Sequence, residues 1–398
     1  MKEVFQRKSP SFAYRTFDDF IRMLEGRERF ERGIDSYPRD GSPELDLGER
    51  QVAELAGTDK DHILLCNSGM SAVTTAIEIA SLTAGDTAVH GFQGYSQIYG
   101  YFQEDLQERG VKSCTVDSSS IESIQEIIEA RHPKVIFFET ITNGTEMTIL
   151  DIEKFLNLQI LKEVDPIIIL DNTLPTDSIL PLAGILQKHA DLKIIGLESA
   201  TKFYVSNQEL GGILFAYNEE ILRRLEKKRR RIGSILGLSG VKTVSREIPT
   251  SKEEFDRANR LVMSNTYRLA GACFGAQTEN GKFFVSYPNL PNHPNSDYAN
   301  LHFPNGSASV FFITVDPSLG NHLDLAKALC EHPVIGVKNG KTILAQSFGF
   351  SKTGIVFYRF DPYIRIAGGT ESPERIEELG KAFQEVLYNF DHERRPEI

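Results

Sequence analysis

Lys202 stands in the run LESATKF (residues 197–203), directly after a short apolar stretch and with Ser199 and Thr201 beside it. Asp171 closes the apolar run 167–170, and Glu139 closes the run 135–138. Such runs read as buried strands, so these polar residues fall at carboxyl ends, where open α/β sheets bind their ligands. A lysine amine condenses with an aldehyde, hydroxyls beside it suit a phosphate, and a carboxylate suits a protonated ring nitrogen. Together the groups describe pyridoxal phosphate held as a lysine Schiff base. Position alone would equally fit a solvated surface lysine. The convergence of three polar strand ends is what favours chemistry.

Ser68 precedes a stretch in which Val73, Ala76, Ile77 and Ala80 recur at helical spacing, so Gly69 and Met70 are expected to open a helix with free backbone N–H groups. A glycine there lets an anion approach closely and the helix dipole favours its charge. Taken alone, the same turn is also an ordinary helix start capped by Ser68.

These groups need a frame. Residues 61–250 alternate short apolar strands with helical stretches, the pattern of a mainly parallel sheet with helices on both faces. Residues 1–60 are mixed in pattern and are expected to form an arm that wraps a partner. Residues 251–398 form an α+β unit: a helical stretch at 255–270, a long functional loop rich in Pro, Asn and Gly at 280–308, and strands at 309–315, 354–360 and 363–367. A last helix is capped by Ser372 and starts with Pro373, with Ile376, Leu379, Phe383, Val386 and Leu387 on its apolar face.

Among the 398 residues, 44 are basic and 55 acidic, giving a net charge of −11, which disfavours a nucleic-acid or anionic-membrane surface. The basic run 227–231 reads as the solvated end of a helix. No apolar stretch approaches the roughly 20 residues that span a bilayer, and residues 1–10 carry no signal core, so a cytoplasmic location is expected. The cysteines at 66, 114, 273 and 330 are widely separated, with no zinc spacing and no disulfide framework, so no metal is expected. Cys66 lies near the phosphate turn but has no base close in sequence. No Gly-x-Gly-x-x-Gly follows an early strand, and GLSGVKT (237–243) departs from a P-loop because Val241 separates glycine from lysine.

In order along the chain, YPRDGSP (37–43), NSGMSA (67–72), ETITN (139–143), DNT (171–173), SATK (199–202), YPNLPNHP (287–294), SFG (347–349) and IRIAGG (364–369) resemble the motifs of the Cys/Met metabolism family of pyridoxal phosphate enzymes. That family contains the cystathionine synthases and lyases, methionine γ-lyase and the O-acylhomoserine sulfhydrylases. The resemblance implies an α/β protein of the PLP-dependent transferase fold type I, aspartate aminotransferase-like, with a mainly parallel seven-stranded sheet and a smaller α+β C-terminal domain. It implies pyridoxal 5'-phosphate on Lys202, its phosphate held by Ser68, Gly69, Met70, Ser199 and Thr201. Asp171 would pair with the ring nitrogen, Asn143 with the ring hydroxyl, and Tyr95 would stack on the ring, acting in catalysis with Lys202. Arg365 and Ser347 resemble the pair that holds the substrate's α-carboxylate. Tyr37 and Arg39 would reach the phosphate site of a neighbouring subunit, Tyr37 also serving the substrate, in a homodimer with shared sites that pairs into a homotetramer.

Departures from the family pattern bear on specificity. Ser96 and Gln97 replace two glycines after the stacking tyrosine, Gly144 replaces a proline, SNQE (206–209) lacks the usual Gly-His, and FSKTGIVFY (350–358) lacks two later histidine pairs. Lys352 stands where cystathionine-processing members carry glutamate and is more like the O-acetylhomoserine sulfhydrylases; it is equally well an exposed loop lysine. The expected reaction is γ-replacement or γ-elimination on a small amino-acid substrate with a γ leaving group, in a specialised pathway. β-Elimination of the cystathionine β-lyase or cysteine-lyase kind stands beside it. A non-catalytic protein that keeps the fold would have no need of Lys202, Asp171, Tyr95 and Arg365 together.

Overall fold

The structure, a computed structural model, describes residues 42–249, 251–279 and 281–392. Tyr37 and Arg39 lie outside them. Short runs of β-branched and aromatic residues make the frame: β1 (Ile63–Cys66), β2 (Thr87–Gly91), β3 (Lys112–Val116), β4 (Val135–Glu139), β5 (Ile167–Asp171), β6 (Ile194–Glu198) and β7 (Gly212–Phe215). They form one seven-stranded sheet in the order β1-β7-β6-β5-β4-β2-β3. β3, β2, β4, β5 and β6 pair in parallel, and β7 runs antiparallel between β6 and β1.

Both faces of the inner strands of this sheet are buried, as parallel strands between helical layers require, while the edge strand β3 is largely open. Ile167 and Ile169 of β5 join the core that contains Ala72, Val73 and Ala76, whereas Ile168 and Leu170 join the core of Phe155, Leu182 and Val241. The helices bearing on the site are α1 (Pro43–Ala56), α2 (Gly69–Glu78), α3 (Ala200–Phe203) and α4 (Glu219–Ile232). A second sheet, in the order β10-β11-β12-β9-β8, combines β8 (Phe283–Ser286), β9 (Val310–Val315), β10 (Ile343–Leu344), β11 (Gly354–Phe357) and β12 (Tyr363–Ala367). Helices α5 (Lys252–Phe274) and α6 (Pro373–His392) pack against each other beside it. In α6, Ser372 Oγ accepts the Arg375 N–H at 3.3 Å, and the expected apolar face is buried. Among the described residues no helix is long and apolar enough to cross a membrane.

Two expectations need correction. The stretch 281–308, read as a long loop, contains β8 and a short helix, Ser296–His302. It is ordered from within: the buried Tyr287 hydroxyl accepts the N–H groups of Ser307 and Ala308 at 3.0 and 3.1 Å and donates to the Ala308 carbonyl at 2.9 Å. The basic run 227–231 is not solvated throughout, because Arg229 turns inward. Its Nη1 donates to Glu49 of α1 at 2.7 Å and to the Leu65 carbonyl at 2.8 Å, while Glu49 accepts the Leu65 N–H at 3.1 Å. One ion pair thereby fastens α1 and α4 to β1. Arg229→Ala should lower stability by about 3 to 5 kcal/mol, since it leaves a buried carboxylate without its cation. A urea midpoint equal to that of the wild type would show that the pair holds nothing in place.

Candidate active site

Parallel register brings the polar strand ends side by side. Glu139 is the register partner of Asp171, and Asp171 that of Leu197. The chain leaves all three strands at one sheet edge, and a cavity of about 300 Å³ opens there. Ser68, Gly69, Met70, Tyr95, Asn143, Asp171, Ser199, Thr201, Lys202 and Arg365 all line it. Ser347 lies against it through Lys202.

At the start of α2, Ser68 and Ser71 form a reciprocal cap, each side chain accepting the other's backbone N–H at 3.0 Å. The N–H groups of Gly69 and Met70 lie in the first turn, without an intrahelical acceptor and at the positive end of the helix dipole, and both residues line the cavity. A Cβ added at Gly69 would lie 3.2 Å from Ser199 Oγ, so a side chain there would fill the gap between the helix start and Ser199. The Thr173 N–H donates to Asp171 Oδ1 at 2.9 Å, and Thr173 Oγ1 accepts the Ser199 N–H at 2.9 Å, tying β5 to the lysine segment. The Thr201 hydroxyl accepts the Gly211 N–H at 3.0 Å.

Glu139 accepts the backbone N–H of Tyr95 at 2.5 Å and of Asn143 at 2.6 Å, so one carboxyl group sets both loops that flank the cavity. Burial raises Glu139 above the ordinary carboxylate range and the neighbouring Asp171 adds to it; burial raises Asp171 as well. The Tyr95 ring stands at the mouth, the residue 41% exposed.

Lys202 Nζ donates to Ser347 Oγ at 2.6 Å, and Ser347 donates to Asn207 Oδ1 at 2.6 Å. Asn207 Nδ2 donates to the Phe348 carbonyl at 2.8 Å, which fixes the amide orientation and the direction of the chain of donors. Burial, with Arg365 nearby, pushes Lys202 down to about 8. Arg365 is buried, with Nη1 3.4 Å from Asn143 Oδ1 and Nη2 3.3 Å from the Gln346 carbonyl. Lys202 Nζ and Arg365 Cζ lie 5.1 and 5.8 Å from the centroid of the same ring, Phe348. Ser347, paired with Arg365 in the sequence reading, thus engages the lysine. Asn207 and Phe348 were given no role from sequence, although Asn207 sits in a segment departing from the family pattern and Phe348 inside the SFG run. Cys66 is buried and its thiol pushed up to about 12, which makes it inert.

Over residues 4–349 the sequence matches the Cys/Met metabolism PLP-dependent enzymes. The chain belongs to this family. Its cofactor is pyridoxal phosphate, and the donor set fits it: two first-turn N–H groups at a helix start without a partner among the described residues, hydroxyls at 199 and 201, a strand-end carboxylate and a lysine of lowered basicity. Family relatives include the cystathionine β-lyase MetC of Bacillus subtilis (strain 168), 29% identical over 67% of this chain and 63% of its own length. The human cystathionine γ-lyase is 25% identical over 87% of this chain and 83% of its own. The fold is shared with cystathionine γ-synthase from Xanthomonas oryzae pv. oryzae, with a TM-score of 0.73 at 21% identity, covering 95% of this chain and 91% of that one.

The lowered basicity of Lys202 can be read directly in the protein stripped of its cofactor, which leaves the amine free. Competitive amine labelling followed by mass spectrometry should show Lys202 reaching half-maximal reactivity near pH 8, about two units before surface lysines. A Lys202 profile that coincides with theirs would show the amine is not desolvated.

Proposed function

We propose that this chain is a cytoplasmic, at least dimeric enzyme for γ-replacement or γ-elimination on an L-amino acid, such as an O-acyl-homoserine or a sulfur amino acid, with a leaving group on its γ-carbon. The observation that carries this reading is the placement of Lys202 Nζ and the Arg365 guanidinium around one ring, Phe348. A carboxylate on Arg365 would bring the α-carbon of an amino acid within reach of the lysine amine. Bound here, pyridoxal phosphate supplies a sink for the charge left when the α-proton departs.

The remaining roles belong to the chain's own groups. Gly69 and Met70 N–H, with Ser68, Ser199 and Thr201, would hold the phosphate; Asp171 would hold the ring nitrogen, Asn143 the ring hydroxyl, and Tyr95 would cover the ring. Arg365 orients the substrate through a charge-assisted contact with its carboxylate. Lys202, near pH 8 an even mixture of base and acid, takes the α-proton and can return it. While unattached, its amine is held by Ser347, which Asn207 orients.

At the rim stand Gln346, Leu210 and Tyr95, and among the described residues Glu139 and Asp171 are the only carboxylates lining the cavity. That supports a leaving group without a distal cation. Lys352 does not bear on it: it is exposed, and its Nζ donates to the Gly340 carbonyl. β-Elimination is the second reading, favoured by the likeness to the Bacillus β-lyase.

A panel of O-acetyl, O-succinyl and O-phospho homoserine, cystathionine, methionine and cysteine, assayed for keto acid and for replacement product, tests the choice. The expected result is turnover of a γ-substituted member with no distal ammonium; turnover of cysteine or cystathionine alone, through the β-carbon, would install the second reading. The shared site is tested by co-expressing Arg39→Ala with Lys202→Ala chains. Each hybrid dimer would hold one site with both defects and one with neither, so activity should partly return. Verified hybrids as inactive as their parents would sink the shared site.

A further inference from the structure

Behind the cavity wall runs a second row of polar groups that the reaction above does not use. Successive side chains at a strand end face opposite ways, so the neighbours of Glu139, Asp171 and Ser199 in the chain point away from the cavity. They are Thr140, Asn172 and Glu198, all buried. Thr140 Oγ1 donates to Asn172 Oδ1 at 3.0 Å, which fixes the amide so that Nδ2 donates to Glu198 Oε1 at 2.9 Å and to the Leu180 carbonyl at 3.0 Å. The hydroxyl of Tyr204, two residues beyond Lys202, lies 2.8 Å from Glu198 Oε2. One carboxyl group therefore bridges the segment that carries Asp171 and the segment that carries Lys202.

No cation among the described residues pairs with Glu198, which is 1% exposed. The groups that face it are acidic or neutral: Asp177 and Asp171 among the carboxylates, then Tyr204 and Asn172. Asp256 bears on Tyr204 from α5, and Lys252, from the same helix, acts on Asp177. Burial first, then Asp177, holds Glu198 well above the usual carboxylate range.

We propose that Glu198 is a positioning residue that works as a neutral carboxylic acid, clamping the end of β5, with Asp171, to the segment of Lys202. An ionised Glu198 would accept the Tyr204 hydroxyl at Oε2, whereas a neutral acid accepts from Asn172 at Oε1 and donates from Oε2 to the Tyr204 oxygen, and a glutamine amide offers the same acceptor and donor. A methionine of similar size offers neither. Glu198 acts on the cofactor only through Asp171 and Lys202, so the role rests on the reading of the cavity as a pyridoxal phosphate site.

The full-length chain is titrated with pyridoxal phosphate as wild type, Glu198→Gln, Glu198→Met and Tyr204→Phe. Expected is a dissociation constant within about threefold of wild type for Glu198→Gln, a loss of tenfold or more for Glu198→Met, and an intermediate loss for Tyr204→Phe. Equal weakening by glutamine and methionine would overturn the neutral acid, and a wild-type constant in Tyr204→Phe would overturn the clamp even if Glu198→Met does not fold. Failure of the wild type itself to bind would overturn the cofactor reading instead. A second readout needs no cofactor: thermal unfolding of wild type and Glu198→Gln from pH 5 to 9. A carboxyl raised in the folded state contributes stability that is full below its unfolded pKa and is lost as pH rises through its folded value. Glu139 does not act on Glu198 and titrates alike in both proteins, and Asp171 and Asp177, which do act on it, face a neutral neighbour in both proteins as long as Glu198 is protonated. Wild type should therefore lose ground to Glu198→Gln as pH rises; a difference that is flat or grows the other way would mean that Glu198 is ionised, and the proposal fails.

Discussion

Three neighbouring parallel strands each end in a carboxyl group, and the sheet sets those ends about 4.8 Å apart per strand in a place from which water is excluded. Coulombic repulsion in such a setting forbids three bare charges. Each group escapes differently. Glu139 takes two backbone N–H groups, Asp171 takes the Thr173 N–H, and Glu198 faces away and shares a network with Asn172 and Tyr204. Asp171 is left on the cavity side with unused acceptor capacity and no cation among the described residues. A cationic group on a ligand is the partner that such a carboxylate favours, so the acidity of the sheet edge bears directly on what the cavity accepts.

The second sheet completes the chemistry from the opposite side. β12 lies between β9 and β11, with Arg365 in register with Phe312 and Val356, so its backbone is fixed on both edges. The guanidinium is braced by Asn143, from the first sheet's loop, and by the Gln346 carbonyl, while its buried Nε keeps an unused donor. An arginine held this way has lost its rotamer freedom before any ligand arrives, which lowers the entropy cost of holding a carboxylate. The same loop, 346–348, supplies Ser347 to the lysine and Phe348 beneath both cations. The guanidinium and the amine are therefore spaced by a single short stretch of chain.

What could be read from the sequence was whatever depends on short-range pattern. β4, β5 and β6 are apolar runs closed by a polar residue, and α6 announces itself by spacing, cap and proline. The stretch 281–308 misled because its turn residues report bends, whereas its order comes from Tyr287 reaching twenty residues along the chain to Ser307. Arg229 was hidden in a basic run because sequence does not say which of five cations faces Glu49, 180 residues away. Lys202, Asn207 and Ser347 meet across separations of 145 and 140 residues, beyond any local signal. Glu198 was in plain view beside Ser199, yet which way a strand-end side chain turns is decided by the sheet. The roles assigned to the cavity-lining residues came through the family resemblance; spacing alone would have left most of them as caps and turns.

Gly349 adopts a φ of +82°, and a Cβ there would lie 2.6 Å from the Lys202 carbonyl oxygen. At that point the loop of the second sheet rests on the lysine segment backbone to backbone, with no side chain as a spacer. The two segments are consequently one unit for sequence drift. Position 349 is closed to every other residue while Lys202 keeps its place, and an insertion on either side would displace both. Divergence in what the site accepts is driven outward, to rim side chains such as Leu210, 59% exposed, that can be exchanged without disturbing this contact.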